Sequence, residues 1–224
     1  AIGCDPAFQG VDLGVIVEGR GNRLESMDEA EYSDTTQIAA SLYSRVLSHG
    51  RFNCDLGVDC VGTGMGVGDI LEGADYQLSD CLNRLNRKDM EYQPPEAPGM
   101  PPVRPDDFDC WRSQAWWQFR CDLEAGNIDL SPLRALPAWS LLVKEVMAHQ
   151  MSRHNGKIRI TPKEKLRDKD ILGWSPGRAD ALVAWNWVRR RIMNFASAVQ
   201  AQAASSSDYG LYKPKEDAIP SVWL

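Results

Sequence analysis

The feature that most constrains this chain is the order in which its apolar runs change period over the first seventy residues. Ala1–Pro6 and Leu13–Glu18 are short apolar stretches separated by a Gly-containing turn, and Arg23–Ser26 follows the Gly21-Asn22 turn, which predicts a meander of three strands. From Asp34 or Thr35 to Leu47, the apolar residues Ile38, Leu42, Val46 and Leu47 recur at helical spacing behind side chains suited to capping. Asn53–Cys60 reads as a further strand that ends at Asp59, and the Gly-rich stretch VGTGMGVGD reads as a turn leading into a helix around Ile70–Glu72. The resulting order is βββαβα. With 224 residues, 43% of them hydrophobic, the chain can enclose one sizeable core.

Residues 94–105 hold six prolines in twelve positions, too few donors and too stiff a backbone for helix or sheet, so a loop or insertion is expected there. Trp111–Ala125 and Trp139–Met151 read as helices. His154–Thr161 places Asn155-Gly156 between short alternating runs, the strongest local signal for a β-hairpin. Ser175-Pro176 supplies an N-cap and a first-turn proline for a long helix expected to run to about Ala201. These readings give one domain over 1–203, with the Pro-rich segment 94–105 and the hairpin 154–161 as appendages and a flexible tail over 204–224. Because the chain opens directly on a strand without an initiator Met, an upstream domain is expected.

The six cysteines, at 4, 54, 60, 81, 110 and 121, show no CxxC pair and no regular spacing, so reduced and mostly buried thiols are expected rather than a zinc site or a disulfide framework. His49, His149 and His154 form no paired-ligand pattern and read as surface or packing residues, which argues against a histidine-led triad. No run of eighteen apolar residues and no signal sequence occurs at the start, so a soluble intracellular protein is expected. The net charge of −6 is unevenly spread: Lys144–Arg191 carries twelve Lys and Arg against five Asp and Glu, leaving −13 for the rest. A basic stretch beside an acidic centre suits a protein that grips phosphates with cations and a metal with carboxylates.

Three aspartates fit such a centre. Asp5 follows the apolar AIGC, Asp59 follows LGV, and Asp180 lies near the start of the last helix in SPGRADALVAW, flanked by two alanines that would let that helix approach a sheet closely. Each stands where a strand or helix would present it at one end of a sheet. Carboxylates gathered from separate elements are what a divalent metal requires.

The blocks that carry these residues resemble a known family. GCDPAFQGVDLGVIVEGRGN is similar to the first strand and hairpin of the nuclease domain of phage large terminase subunits, and GVDCVGTGMGVGDIL to their second acidic motif. KEKLRDKDILGWSPGRADALVAW resembles their Lys-rich segment and closing helix, and RSQAWWQFRCDLEAGNIDL the stretch between. Together they span Ala1 to about Trp187 in the family's order. The resemblance implies an α/β, RNase H-like mixed sheet of about five or more strands flanked by helices, with strands one to three antiparallel, the later ones parallel, and an auxiliary hairpin. It also implies a metal-dependent endonuclease in which Asp5, Asp59 and Asp180 bind two Mg²⁺ or Mn²⁺ ions, with Asp12 matching a further acidic position. Double-stranded DNA, an ATPase domain of the same polypeptide, the portal ring and the small terminase subunit are the implied partners, in the host cytoplasm and away from membranes. Where relatives read Ser-Pro-Asp, this chain reads Ser175-Pro176-Gly177, so a carboxylate is missing there.

Other readings stay open at this point. A junction resolvase would use the same fold on branched DNA, a docking module for portal or ATPase would keep the fold without the aspartates, and a nucleotide-binding fold of the sugar-kinase type would bind ATP. No GxxxxGK followed by Ser or Thr occurs, so ATP hydrolysis by these residues is not expected. Lys157, Arg159, Lys163, Lys165 and Arg167, on and just after the predicted hairpin, are the expected DNA contacts. Trp111, Trp116 and Trp117 are assigned to packing.

Overall fold

A computed structural model of the chain describes residues 1–8, 12–50, 54–74, 78–97 and 99–190. Three strands open it: β1 (Ile2–Asp5), β2 (Gly14–Arg20) and β3 (Arg23–Ala30), followed by helix α1 (Thr35–His49). Strand β4 (Leu56–Val58), helix α2 (Thr63–Ala74) and strand β5 (Leu82–Arg84) come next. Helices α3 (Trp111–Glu124) and α4 (Trp139–Ala148) precede the hairpin strands β6 (Met151–His154) and β7 (Lys157–Ile160). The short helix α5 (Lys163–Leu166) leads to a last helix, α6, described over 177–190. The remainder of the helix expected to reach Ala201, and the expected tail over 204–224, lie outside the described residues.

The main sheet has the order β3-β2-β1-β4-β5. β1 pairs antiparallel with β2 and β2 with β3, whereas β1–β4 and β4–β5 are parallel. This is the RNase H-like mixed sheet that the resemblance implied, and the hairpin forms a separate two-stranded sheet.

Period-two alternation assigns the two faces. Ile2, Cys4, Ile16, Leu56 and Val58 point to one side and pack with Ile38 and Leu42 of α1 and Val67 and Leu71 of α2. Val15 and Val17 point to the other, where α3 and α6 contribute Trp116, Trp117, Ala181, Ala184 and Trp185. Gly3 belongs to this second face, and a Cβ there would lie 2.3 Å from the Ala181 carbonyl oxygen and the Trp185 amide nitrogen, so its absence lets α6 lie directly on β1. Ala179 and Ala181 are both fully buried, in keeping with the close approach expected of the alanines around Asp180.

One local reading is corrected. The run VGTGMGVGD is not a turn before a helix around Ile70: from Thr63 onward it is helix α2 itself. Its glycines serve close packing, since a Cβ on Gly64 would meet the Asp59 carbonyl oxygen at 1.7 Å. Tertiary contact with the end of β4 overrides the low helix propensity of glycine. The hairpin follows expectation, with Asn155 (φ 50) and Gly156 (φ 77) both left-handed, as a two-residue primed turn requires. Its second strand is anchored to the start of α3, because Ile160 N donates to Ser113 Oγ at 3.0 Å and Asp109 N donates to the Ile158 carbonyl at 3.1 Å.

Candidate functional site

The alternation that puts Gly3 against α6 also puts Asp5 on that face, at the carboxyl end of β1. Asp59 stands one residue beyond β4, and its amide donates to the Cys4 carbonyl at 3.1 Å, so the two carboxylates emerge side by side from adjacent parallel strands. Asp180 enters from the first turn of α6, where its amide donates to the Pro176 carbonyl at 3.0 Å. All three side chains are buried.

They meet at one point. Lys163, the first residue of α5, places its Nζ 2.8 Å from Asp5 Oδ1, 3.1 Å from Asp59 Oδ2 and 3.1 Å from Asp180 Oδ2. Asp59 and Asp180 each have a second tether. Val61 N donates to Asp59 Oδ1 at 3.2 Å, and Arg112 Nε donates to Asp180 Oδ1 at 3.0 Å. Three carboxylates facing two cations, Lys163 and Arg112, leave one negative charge in excess.

The ionisation of the cluster follows from that imbalance. Burial pushes the Asp5 carboxyl up to about 7; Lys163 opposes the rise, and the charges of Asp180 and Asp59 add to it. Burial would raise Asp180 as well, but Arg112 and Lys163 outweigh it and hold that carboxyl well below the usual range. Burial alone would lower Lys163, yet its three carboxylate neighbours keep the ammonium well above its ordinary value. The surplus charge is thus relieved by a proton on Asp5, which, unlike Asp180, has no Arg112 guanidinium to offset its burial.

A cleft of about 610 Å³ opens over the cluster and is lined in part by Asp12, Asp109, Arg159, Glu164 and Arg167. Asp12 lies at its rim and not among the three carboxylates: its Oδ2 accepts from Arg167 at 2.7 Å and its Oδ1 from Ser175 N at 3.4 Å. The five predicted DNA contacts separate. Lys163 is taken up by the carboxylates, Arg167 by Asp12, and Arg159 by Asp109 at 3.3 Å. Lys157 donates to the Asp106 carbonyl, and Lys165 is exposed.

Three residues stand directly behind the cluster: Trp116 and His149, which the sequence assigned to packing or surface, and Arg112, to which it gave no role. Arg112, Trp116 and His149 form a connected group on Asp180, in which Trp116 Nε1 donates to Asp180 Oδ1 at 3.3 Å. His149 is stacked on the Trp116 ring at 3.8 Å and lowered by burial to about 4, so it is neutral. The only available signal was the placement of Arg112 and Trp116 four residues apart, on one face of a helix. None of the six cysteines is in a disulfide, with Cys110 exposed and the other five buried. Among the described residues, no helix is long and apolar enough to cross a membrane.

The donor chemistry of the cluster suits a hard divalent cation, since three carboxylate oxygens already converge on one positive centre. As they stand, the groups are set around an ammonium. Among the described residues, no set of three or more His, Cys, Asp or Glu groups forms a ready-made metal cage.

No family model and no curated protein matches the chain. Solved structures do. The nuclease domain of the large terminase subunit of bacterial virus Sf6 is similar over 83% of this chain and 86% of that chain, at 18% identity and a TM-score of 0.59. A mutant of that domain solved with calcium is similar at 18% identity and a TM-score of 0.58, and one solved with manganese and beta-thujaplicinol at 17% and 0.56. The chain therefore has the RNase H-like fold seen in a terminase nuclease domain, with its three buried aspartates gathered at the carboxyl ends of the central parallel strands.

Proposed function

We propose that this chain is a metal-dependent endonuclease that cuts double-stranded viral DNA concatemers during genome packaging, with little sequence preference. The observation that carries the reading is the convergence of Asp5, Asp59 and Asp180, from β1, β4 and α6, on a single cation position within this fold. Asp5, Asp59 and Asp180 would hold two Mg²⁺ or Mn²⁺ ions, and Asp12, at the rim, is left to position water or the loop. A divalent metal held by these carboxylates would supply an activated water and charge stabilisation for the leaving oxygen of phosphodiester hydrolysis.

The chain's own groups account for the rest. Lys163 balances the carboxylates and keeps them together without metal, and it leaves that point when another cation takes it. Asp5, pushed up mainly by burial and further by the neighbouring carboxylates, would give up its proton on becoming a ligand. Arg159 and Arg167, flanking the cleft, meet the phosphate backbone, a contact that selects no sequence. The partners that fit this role are an ATPase, a portal ring and a small terminase subunit.

Incubation of the chain with supercoiled plasmid in Mn²⁺, Mg²⁺ or EDTA tests the reading. We expect nicking and linearisation with metal, none with EDTA, and loss of cutting in folded Asp5→Asn, Asp59→Asn and Asp180→Asn. Intact plasmid in both metals, or normal cutting by those variants, would sink it, and a strong preference for branched over linear DNA would move the reading to a resolvase.

A further inference from the structure

The three carboxylates are not held equally, and Asp180 is the most restrained. We infer that Arg112 is the positioning residue of the carboxylate cluster, itself set by Trp116 and His149; the inference rests on the nuclease reading above.

Every part of the guanidinium is committed. Nε donates to Asp180 Oδ1 at 3.0 Å, Nη1 to the Thr161 carbonyl at 2.9 Å, and Nη2 lies 2.8 Å from His149 Nε2 and 3.4 Å from Asp180 Oδ2. The imidazole tautomer follows from its other side. His149 Nδ1 is 2.6 Å from the Glu145 carbonyl, which can only accept, so the ring proton is on Nδ1 and Nε2 is left to accept from Arg112. The ring is pinned flat on Trp116, and Trp116 Nε1 gives Asp180 Oδ1 its second donor.

Two consequences bear on the site. With Oδ1 saturated by Arg112 and Trp116, Asp180 cannot turn about its terminal torsion, and Oδ2 is kept facing Asp5 and Asp59. Thr161 lies two residues before Lys163, so the same guanidinium also fixes the point from which the Lys163 segment departs. A planar fork with several donors is needed for both tasks, and a lysine ammonium cannot reproduce it.

The test is Mn²⁺ binding by isothermal titration, alongside the metal dependence of plasmid cutting, for the whole chain carrying Arg112→Lys, Arg112→Ala or Trp116→Phe. Loss of a partner that orients a metal ligand weakens metal affinity by about 10- to 100-fold. We expect that loss in both Arg112 variants, with the metal concentration for half-maximal cutting rising in proportion and the rate at saturating metal falling less. Trp116→Phe, which keeps the packing and removes one N–H, shifts the same readout by about fivefold. Wild-type Mn²⁺ affinity in a folded Arg112→Lys overturns the inference, as does wild-type affinity in Trp116→Phe should the Arg112 variants fail to fold. A wild-type chain that takes up no Mn²⁺ overturns the nuclease reading, and this inference with it.

Discussion

Asp5 and Asp180 share one ammonium yet respond to their surroundings in opposite directions, and that opposition is measurable without any metal. Asp5, raised to about 7 when folded, keeps a proton that the unfolded chain releases near the ordinary carboxylate value of 3.8. Stability linked to Asp5 is therefore present at low pH and declines as pH rises towards about 7. Asp180 is depressed when folded, so its contribution is present above the ordinary carboxylate range and disappears on acidification. At pH 8 in EDTA, Asp5→Asn should raise the melting temperature, with the gain shrinking as pH falls below about 7. Asp180→Asn, which leaves Arg112 without its buried partner, should destabilise by ~3–5 kcal/mol. Melting curves across pH check both, and the same sign for the two variants would refute the electrostatic account.

At the scale of elements, the site exists because α6 lies on β1 without side chains between them. Gly3→Ala would force a Cβ to within 2.3 Å of the α6 backbone, a clash that no rotamer change relieves. We expect a loss of ~1–3 kcal/mol or more in urea denaturation, together with weaker cutting as Asp180 is pushed from Asp5; an unchanged midpoint would show that the helix has room. Strand, helix and turn signals exposed much of this arrangement in the sequence. The meander, α1, the Asn155-Gly156 hairpin and the Ser175-Pro176 helix start all use local chemistry that reads directly. Strand β5 did not: Leu82–Arg84 is three residues long and partly exposed, with a polar centre, so it has no periodicity to detect. Helix α2 was hidden by its glycines, whose purpose, contact with the end of β4, is visible only in three dimensions. The carboxylates were legible because Asp5 and Asp59 end apolar runs and Asp180 follows a Ser-Pro helix start. Arg112 and His149 were not, because Arg112 meets Asp180 across 68 residues and His149 meets Arg112 across 37.

For the molecule as a whole, a net charge of −6 must be reconciled with the polyanionic substrate we propose. Much of the basic stretch from Lys144 to Arg191 is spent internally: Lys163 on the cluster, Arg178 on Glu29 and Glu145, and Arg189 on Asn186. DNA binding is then left to a few cations around the cleft, so affinity should be modest and its salt dependence shallow. Charge reversal at Arg159 and Arg167 together should weaken binding and flatten the logarithmic salt slope by about 2 units, one phosphate contact for each residue. Fluorescence anisotropy at several salt concentrations measures this, and an unchanged slope would place the DNA on another face.

On the proposed reading, the point now held by Lys163 is a divalent-metal position. Anomalous diffraction from crystals grown with Mn²⁺ addresses it directly. The account predicts manganese peaks between Asp5, Asp59 and Asp180, with the Lys163 ammonium withdrawn from the carboxylates. Manganese bound elsewhere in the crystal, with Lys163 still seated on all three aspartates, would contradict it.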